Sequence, residues 1–146
     1  MPKSAFLERI FPELARTSYD VTSPKDTNYN CIAWAANDNS SWWWPDPFNQ
    51  YYWPENIPRE LSLRAFIGAY SVLGYSVCDN GELEEGFEKI AIFENISGPS
   101  HATRQFPDGS WTSKLGTYED IKHVIDALEG VEYGKIVQFL KRPIKK

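Results

Sequence analysis

Residues 101–116 read His-Ala-Thr-Arg-Gln-Phe-Pro-Asp-Gly-Ser-Trp-Thr-Ser-Lys-Leu-Gly, two runs of strand-forming residues around a Pro-Asp-Gly turn. The length of that turn decides which side chains share a face. If Pro107, Asp108 and Gly109 form a three-residue loop, a type I turn with Gly109 left-handed, Phe106 lies opposite Ser110 and Thr103 opposite Ser113. Cross-strand partners share a face, as do alternate residues of one strand, so Ser113 falls diagonally on the face of His101. A two-residue Asp108-Gly109 loop pairs Arg104 with Ser113 instead and reverses every face. Lys114 points away from Ser113 by alternation and is expected to pair with an acid.

Upstream, residues 29–37 read Tyr-Asn-Cys-Ile-Ala-Trp-Ala-Ala-Asn, a helix-forming run with Cys31 in its first turn. Asp26, Thr27, Asn28 and Asn30 are all suitable caps. A thiol at a helix start feels the positive end of the dipole and unpaired N–H groups, which favour the thiolate. A cysteine opening a helix and a histidine opening a strand are the parts of a nucleophile and base. The second cysteine, Cys78, reads as a small buried hydrophobe. His123, the rival base, falls inside a predicted helix and reads as structural.

The flanking segments set the fold class. Phe6, Leu7, Ile10, Phe11 and Leu14 have helical spacing, interrupted at Pro12. Residues 17–30 read as loop. In 38–60, Trp42, Trp43, Trp44, Phe48, Tyr51, Tyr52 and Trp53 alternate with prolines, which predicts an ordered aromatic loop, serving as a flap over the core, a ligand platform or both. Leu63, Phe66, Ile67, Tyr70 and Leu73 mark a core helix over 61–73, with Gly74 as its cap. A short strand over 75–78 and a central strand over 89–93 follow. Thr117 is a suitable cap for a helix over 118–128 burying Ile121, Val124, Ile125 and Leu128, and residues 134–140 supply the last strand. Helices first, then a mostly antiparallel sheet of about four to six strands, is an α+β layout in a single domain, residues 1–146.

A chain of 146 residues with 42% hydrophobic content can bury one core. Its net charge of −5 offers no general attraction to nucleic acid or anionic membranes, and neither is expected as a partner. Within the first ten residues two charges, Glu8 and Arg9, fall where a secretory signal would be apolar. A cytoplasmic location is the expectation, although signal-less secretion would leave the same sequence. No cofactor is expected: no glycine-rich phosphate loop and no metal-ligand spacing of cysteines and histidines appears.

The elements Asn-Cys-Ile-Ala-Trp-Ala, His-Ala-Thr-Arg-Gln and Asp-Gly-Ser-Trp-Thr-Ser-Lys-Leu-Gly resemble the core of papain-like cysteine hydrolases of the NlpC/P60 kind, and among them small bacterial domains sharing Asn-Cys-x-Ala-Trp-Ala and Ser-Lys-x-Gly. The resemblance covers residues 29–116. It implies a papain-like fold with N-terminal helices packed on the sheet, and a peptidase or amidase in which Cys31 is the nucleophile, His101 the base and Ser113 the orienting residue. Serine departs from the family there, where His, Asn, Asp or Glu is usual. The Cys31 N–H would hold the oxyanion with a second donor from Tyr29, Asn30 or Asn28. Trp34, Trp42, Trp43, Trp44, Tyr51, Tyr52, Trp53 and Arg104 are substrate-binding candidates for a peptide, amide, ester or thioester. A non-catalytic protein- or glycan-binding module working through the aromatic loop at 42–53 is the alternative.

Overall fold

The computed structural model describes residues 4–23, 26–115 and 118–144. Its centre is β3 (Phe87–Asn95), where Ile90, Ala91, Ile92 and Phe93 are all fully buried. Such a run cannot lie at an edge: both of its faces and both of its sides must be covered. β4 (Gly98–Gln105) and β7 (Lys135–Pro143) flank it, and β1 (Asp20–Ser23), β2 (Ser76–Cys78), β5 (Trp111–Lys114) and β6 (Asp120–His123) complete the sheet. The seven strands run in the order β1-β6-β5-β4-β3-β7-β2, and each pairing is antiparallel.

Register divides the side chains between two faces. Ile90 pairs with Arg104 and Arg104 with Thr112, so Ile90, Ile92, Ala102, Arg104, Thr112 and Lys114 share one face. Phe93 pairs with His101, and Ser113 with Ile121, placing His101, Thr103, Ser113, Ile121 and His123 on the other. The first face is covered by α2 (Cys31–Ala35), α3 (Leu63–Ser71) and the aromatic loop, through a core of Ile32, Ala33, Trp43, Trp53, Phe66 and Tyr70. The second is covered by α1 (Ala5–Ile10), the 3-10 turn Pro12–Arg16 and the 124–133 turns, through Leu7, Phe11, Leu14, Ala127 and Leu128.

This architecture corrects the papain-like α+β expectation. About 18% of the described residues are helical, and the sheet is wider than four to six strands, with thin layers on both of its faces. Two local readings account for much of the error. Asp120, Ile121, Lys122 and His123 form β6, not a helix: Ile121 and His123 share one face and Asp120, also fully buried, lies on the other, a period of two that a longer apolar pattern had masked. Thr117, the expected cap, and Gly116 lie outside the described residues. Within the expected loop at 17–30, β1 pairs with β6 and buries one apolar side chain, Val21, too weak a signal for a strand. The interruption at Pro12 and the central strand are as expected; the core helix runs Leu63–Ser71 inside the expected 61–73, with Ser62 as its N-cap and Val72, not Gly74, as its C-cap. Cys78 is partly exposed and not buried. Among the described residues, no helix is long and apolar enough to cross a membrane.

Candidate functional site

Asn30 builds the start of α2. Its backbone is extended and its Oδ1 accepts from the Ala33 N–H at 3.1 Å, closing the first turn. The same oxygen accepts from the Trp43 N–H at 3.1 Å, and Nδ2 donates to the Trp43 carbonyl at 2.7 Å. One side chain thus caps the helix and clamps the aromatic loop beside Cys31. From α3, the Tyr70 hydroxyl donates to the Ile32 carbonyl at 2.8 Å.

Cys31 is 6% exposed. Burial pushes its thiol up to about 11, against the opposing pull of the N–H groups of Ala102, Ile32 and Cys31 itself and of the Lys114 charge. Burial therefore disfavours the expected thiolate. A helix of five residues has too small a dipole to offset complete burial.

His101 sits on β4 with its ring stacked on Tyr133, centroids 4.0 Å apart and planes within 8°, and edge-on to Phe93. The hairpin has the three-residue loop, with Phe106 accepting from Gly109 N–H and donating to Ser110, and Gly109 at φ 90°. Ser113 accordingly reaches His101, with Oγ 3.0 Å from Nε2. Beyond it lies a residue that the sequence reading assigned to structure alone: His123 Nε2 is 2.7 Å from Ser113 Oγ, and Thr103 Oγ1 is 2.8 Å from it. Had residues 120–123 been read as a strand, His123 would have been recognised on the face of Ser113.

Strand alternation puts this hydroxyl and imidazole chain on the face away from α2. A strand N–H points sideways in the plane of the sheet, so the Cys31 sulfur, which meets β4 at the N–H of Ala102, lies beside the strand next to His101 and not over the opposite face; His101 Nδ1 is buried with no hydrogen-bond partner. Tyr133 bridges the two, since the ring stacked on His101 also lines a cavity of about 330 Å3 with Cys31, Asn30, Ser100, Trp42, Trp44 and Tyr51.

The remaining candidates separate. Trp43 and Trp53 are core residues, and Tyr52 packs on Trp43. Trp34 donates to Thr112 Oγ1 and carries Arg104 over its ring, away from the cavity. The Tyr29 hydroxyl is committed to Asp120 at 2.7 Å, and Asn28 is exposed and outside the cavity lining. Lys114 is buried, donates to the Tyr118 carbonyl and lies over the Tyr29 ring; burial pulls its ammonium below the usual lysine range, with Asp120 opposing. A second cavity of about 260 Å3 beside Cys78 is lined by Lys89 and Lys141, both paired with Glu84, and by Asp79. Among the described residues, no group of three His, Cys, Asp or Glu side chains is placed to hold a metal ion.

Burial holds both histidines neutral, His101 well below 6.5 and His123 at about 4. The unfolded chain binds protons below pH 6.5 that the folded chain refuses, so stability is complete above that pH and is lost as pH falls towards 4. His123 alone accounts for a loss on the order of 3 kcal/mol by about pH 4. Urea midpoints should decline steadily once the pH drops below about 6.5. A flat profile down to about pH 5 would contradict the neutral pair.

The site defines an antiparallel-sheet protein with a buried thiol beside a histidine–serine–histidine chain. Residues 20–141 match the family model described as Domain of unknown function (DUF7689), and the chain belongs to that family. No curated protein and no solved structure matches the chain.

Proposed function

We propose that the chain is a cysteine-dependent hydrolase or acyltransferase acting on a peptide or amide bond, or on an ester or thioester, with Cys31 as nucleophile and His101 as general base and acid. The observation that carries this reading is the unpartnered, buried Nδ1 of an imidazole whose other nitrogen is held by Ser113, one residue from the N–H that meets the Cys31 sulfur. A fixed imidazole with one free nitrogen is what proton transfer requires.

Because burial favours the thiol over the thiolate, deprotonation accompanies the attack on substrate. Nδ1 of His101 takes the sulfur's proton as the S–C bond forms, and the carbonyl electron pair moves to oxygen. The intermediate collapses, the C–N or C–O bond breaks, and the leaving group takes the proton from His101. Water or another acceptor then attacks the thioester, giving its proton to His101, and Cys31 leaves. Asn30 is the favoured second oxyanion donor, since Nδ2 has an N–H beyond the one given to Trp43 and the residue lines the cavity. Trp42, Trp44 and Tyr51 favour an apolar or aromatic acyl group.

The test is acylation of Cys78→Ser protein with a p-nitrophenyl ester of an N-acylated phenylalanine. The expected result is a burst of nitrophenolate equal to the protein and an acyl mass on Cys31. A second reading, binding without chemistry at the aromatic loop, draws on Phe48, which is 80% exposed at that loop. Saturable quenching of tryptophan fluorescence by the matching amide, with Cys31 never acylated, would favour it and overturn the hydrolase.

A further inference from the structure

The chain has two histidines, and both contact the hydroxyl of Ser113. We propose that the backbone carbonyl of Val124, acting through His123 and Ser113, fixes His101 in the tautomer with its proton on Nε2 and a free lone pair on Nδ1, making His123 a positioning residue for the base. The tautomer follows from hydrogen-bond geometry alone; the role of His123 in catalysis rests on the hydrolase reading.

The derivation starts where direction is certain. A carbonyl oxygen can only accept, so His123 Nδ1, 2.6 Å from Val124 O, must donate. A neutral imidazole has one ring proton, which leaves His123 Nε2 an acceptor. By the same rule Thr103 spends its only hydroxyl proton on the Thr112 carbonyl at 2.9 Å, and Thr103 Oγ1 becomes an acceptor too. Ser113 Oγ therefore faces two groups with no proton to give, His123 Nε2 at 2.7 Å and Thr103 Oγ1 at 2.8 Å. Its single proton is shared between these two acceptors, which themselves stand 3.2 Å apart, and favours the shorter contact and the more basic atom, His123. Turning that proton toward His101 would leave both short contacts as buried lone pairs against lone pairs, a costly arrangement away from water. Ser113 accordingly accepts at 3.0 Å, and His101 Nε2 supplies the hydrogen.

The consequence reaches the site. With its proton on Nε2, His101 presents an unshared pair at Nδ1, the atom that is buried without a partner. No carboxylate takes part: a main-chain carbonyl is the terminal anchor, so His101 is oriented without being made more basic. That agrees with a site whose thiol keeps its proton until an acyl group arrives.

Nitrogen-15 histidine labelling of the full chain at neutral pH, with correlations from carbon-bound ring protons to ring nitrogens, reads both tautomers without any substrate. The expected result is opposite tautomers, His101 protonated on Nε2 and His123 on Nδ1. His101 protonated on Nδ1, or either ring charged, overturns the inference. In His123→Phe, with Thr103 alone left to hold the hydroxyl, the His101 nitrogen signals should move to averaged values. His123→Gln, whose amide oxygen can stand where Nε2 stood, should restore them. Unchanged His101 signals in His123→Phe would assign the tautomer to Thr103 and end the positioning role of His123. Should His123→Phe not fold, the wild-type spectrum still decides the tautomers. An inert Cys31 with the tautomers as assigned would remove the hydrolase reading and leave the relay standing.

Discussion

A Cys31→Ala variant is expected to lose acyl transfer by a factor on the order of 10,000 or more while unfolding within about 1 to 2 kcal/mol of the parent protein. The thiol is buried between α2 and β4, and its removal leaves a void of a single atom with no orphaned charge. His101→Ala should cost as much activity and considerably more stability, because its ring fills the space between Phe93 and Tyr133 and satisfies Ser113. Ser113→Ala should act differently, raising the barrier by about 1 to 2 kcal/mol by freeing the tautomer while the nucleophile and base remain. Turnover and urea midpoints of the three variants decide it. Equal turnover in Cys31→Ala and the parent would sink the nucleophile assignment, and equal, complete losses in all three would mean that Ser113 does more than orient.

The legible part of this site was the part controlled by short-range chemistry. The Pro-Asp-Gly turn allowed two registers, and the three-residue one, which forms, places Ser113 beside His101. Asn30 was one of four candidate caps, and it is the one that caps α2. Other features depended on distant partners. Whether 120–123 is helix or strand is decided by β1 and β5 on either side of it, not by its own four residues. That misreading hid His123 and, with the overlooked β1, narrowed the sheet. The pKa of Cys31 failed for the same reason: the sequence shows the helix start but not the depth at which Trp43, Tyr70 and Tyr133 bury it. The aromatic loop was read as both flap and platform, and its residues divide along that line, with Trp43 and Trp53 in the core and Trp42, Trp44 and Tyr51 at the cavity.

Gly134→Ala is the substitution with the largest expected effect on the fold. At φ +79°, Gly134 occupies backbone space that residues with a Cβ adopt at a cost of about 1 to 2 kcal/mol. Conformation is the smaller part of the effect. A Cβ there would stand 2.0 Å from the Glu94 carbonyl oxygen and 2.8 Å from the Asn95 Cα, both main chain of β3 and its turn, which cannot rotate aside. Gly134 also exchanges two hydrogen bonds with Gly130, closing the turn that presents Tyr133 to His101. Gly74→Ala separates the two contributions, since its φ is +97° with nothing within 4 Å of the added carbon. The Gly74 variant should lose only the conformational cost, about 1 kcal/mol, and the Gly134 variant about 3 kcal/mol or more. Displacing Tyr133 would unstack His101 and open the cavity wall, so Gly134→Ala should also slow acylation of Cys31, whereas Gly74→Ala should not. Equal urea midpoints for the two variants would show that β3 yields to the methyl group, and that the 130–134 turn does not hold Tyr133 against the site.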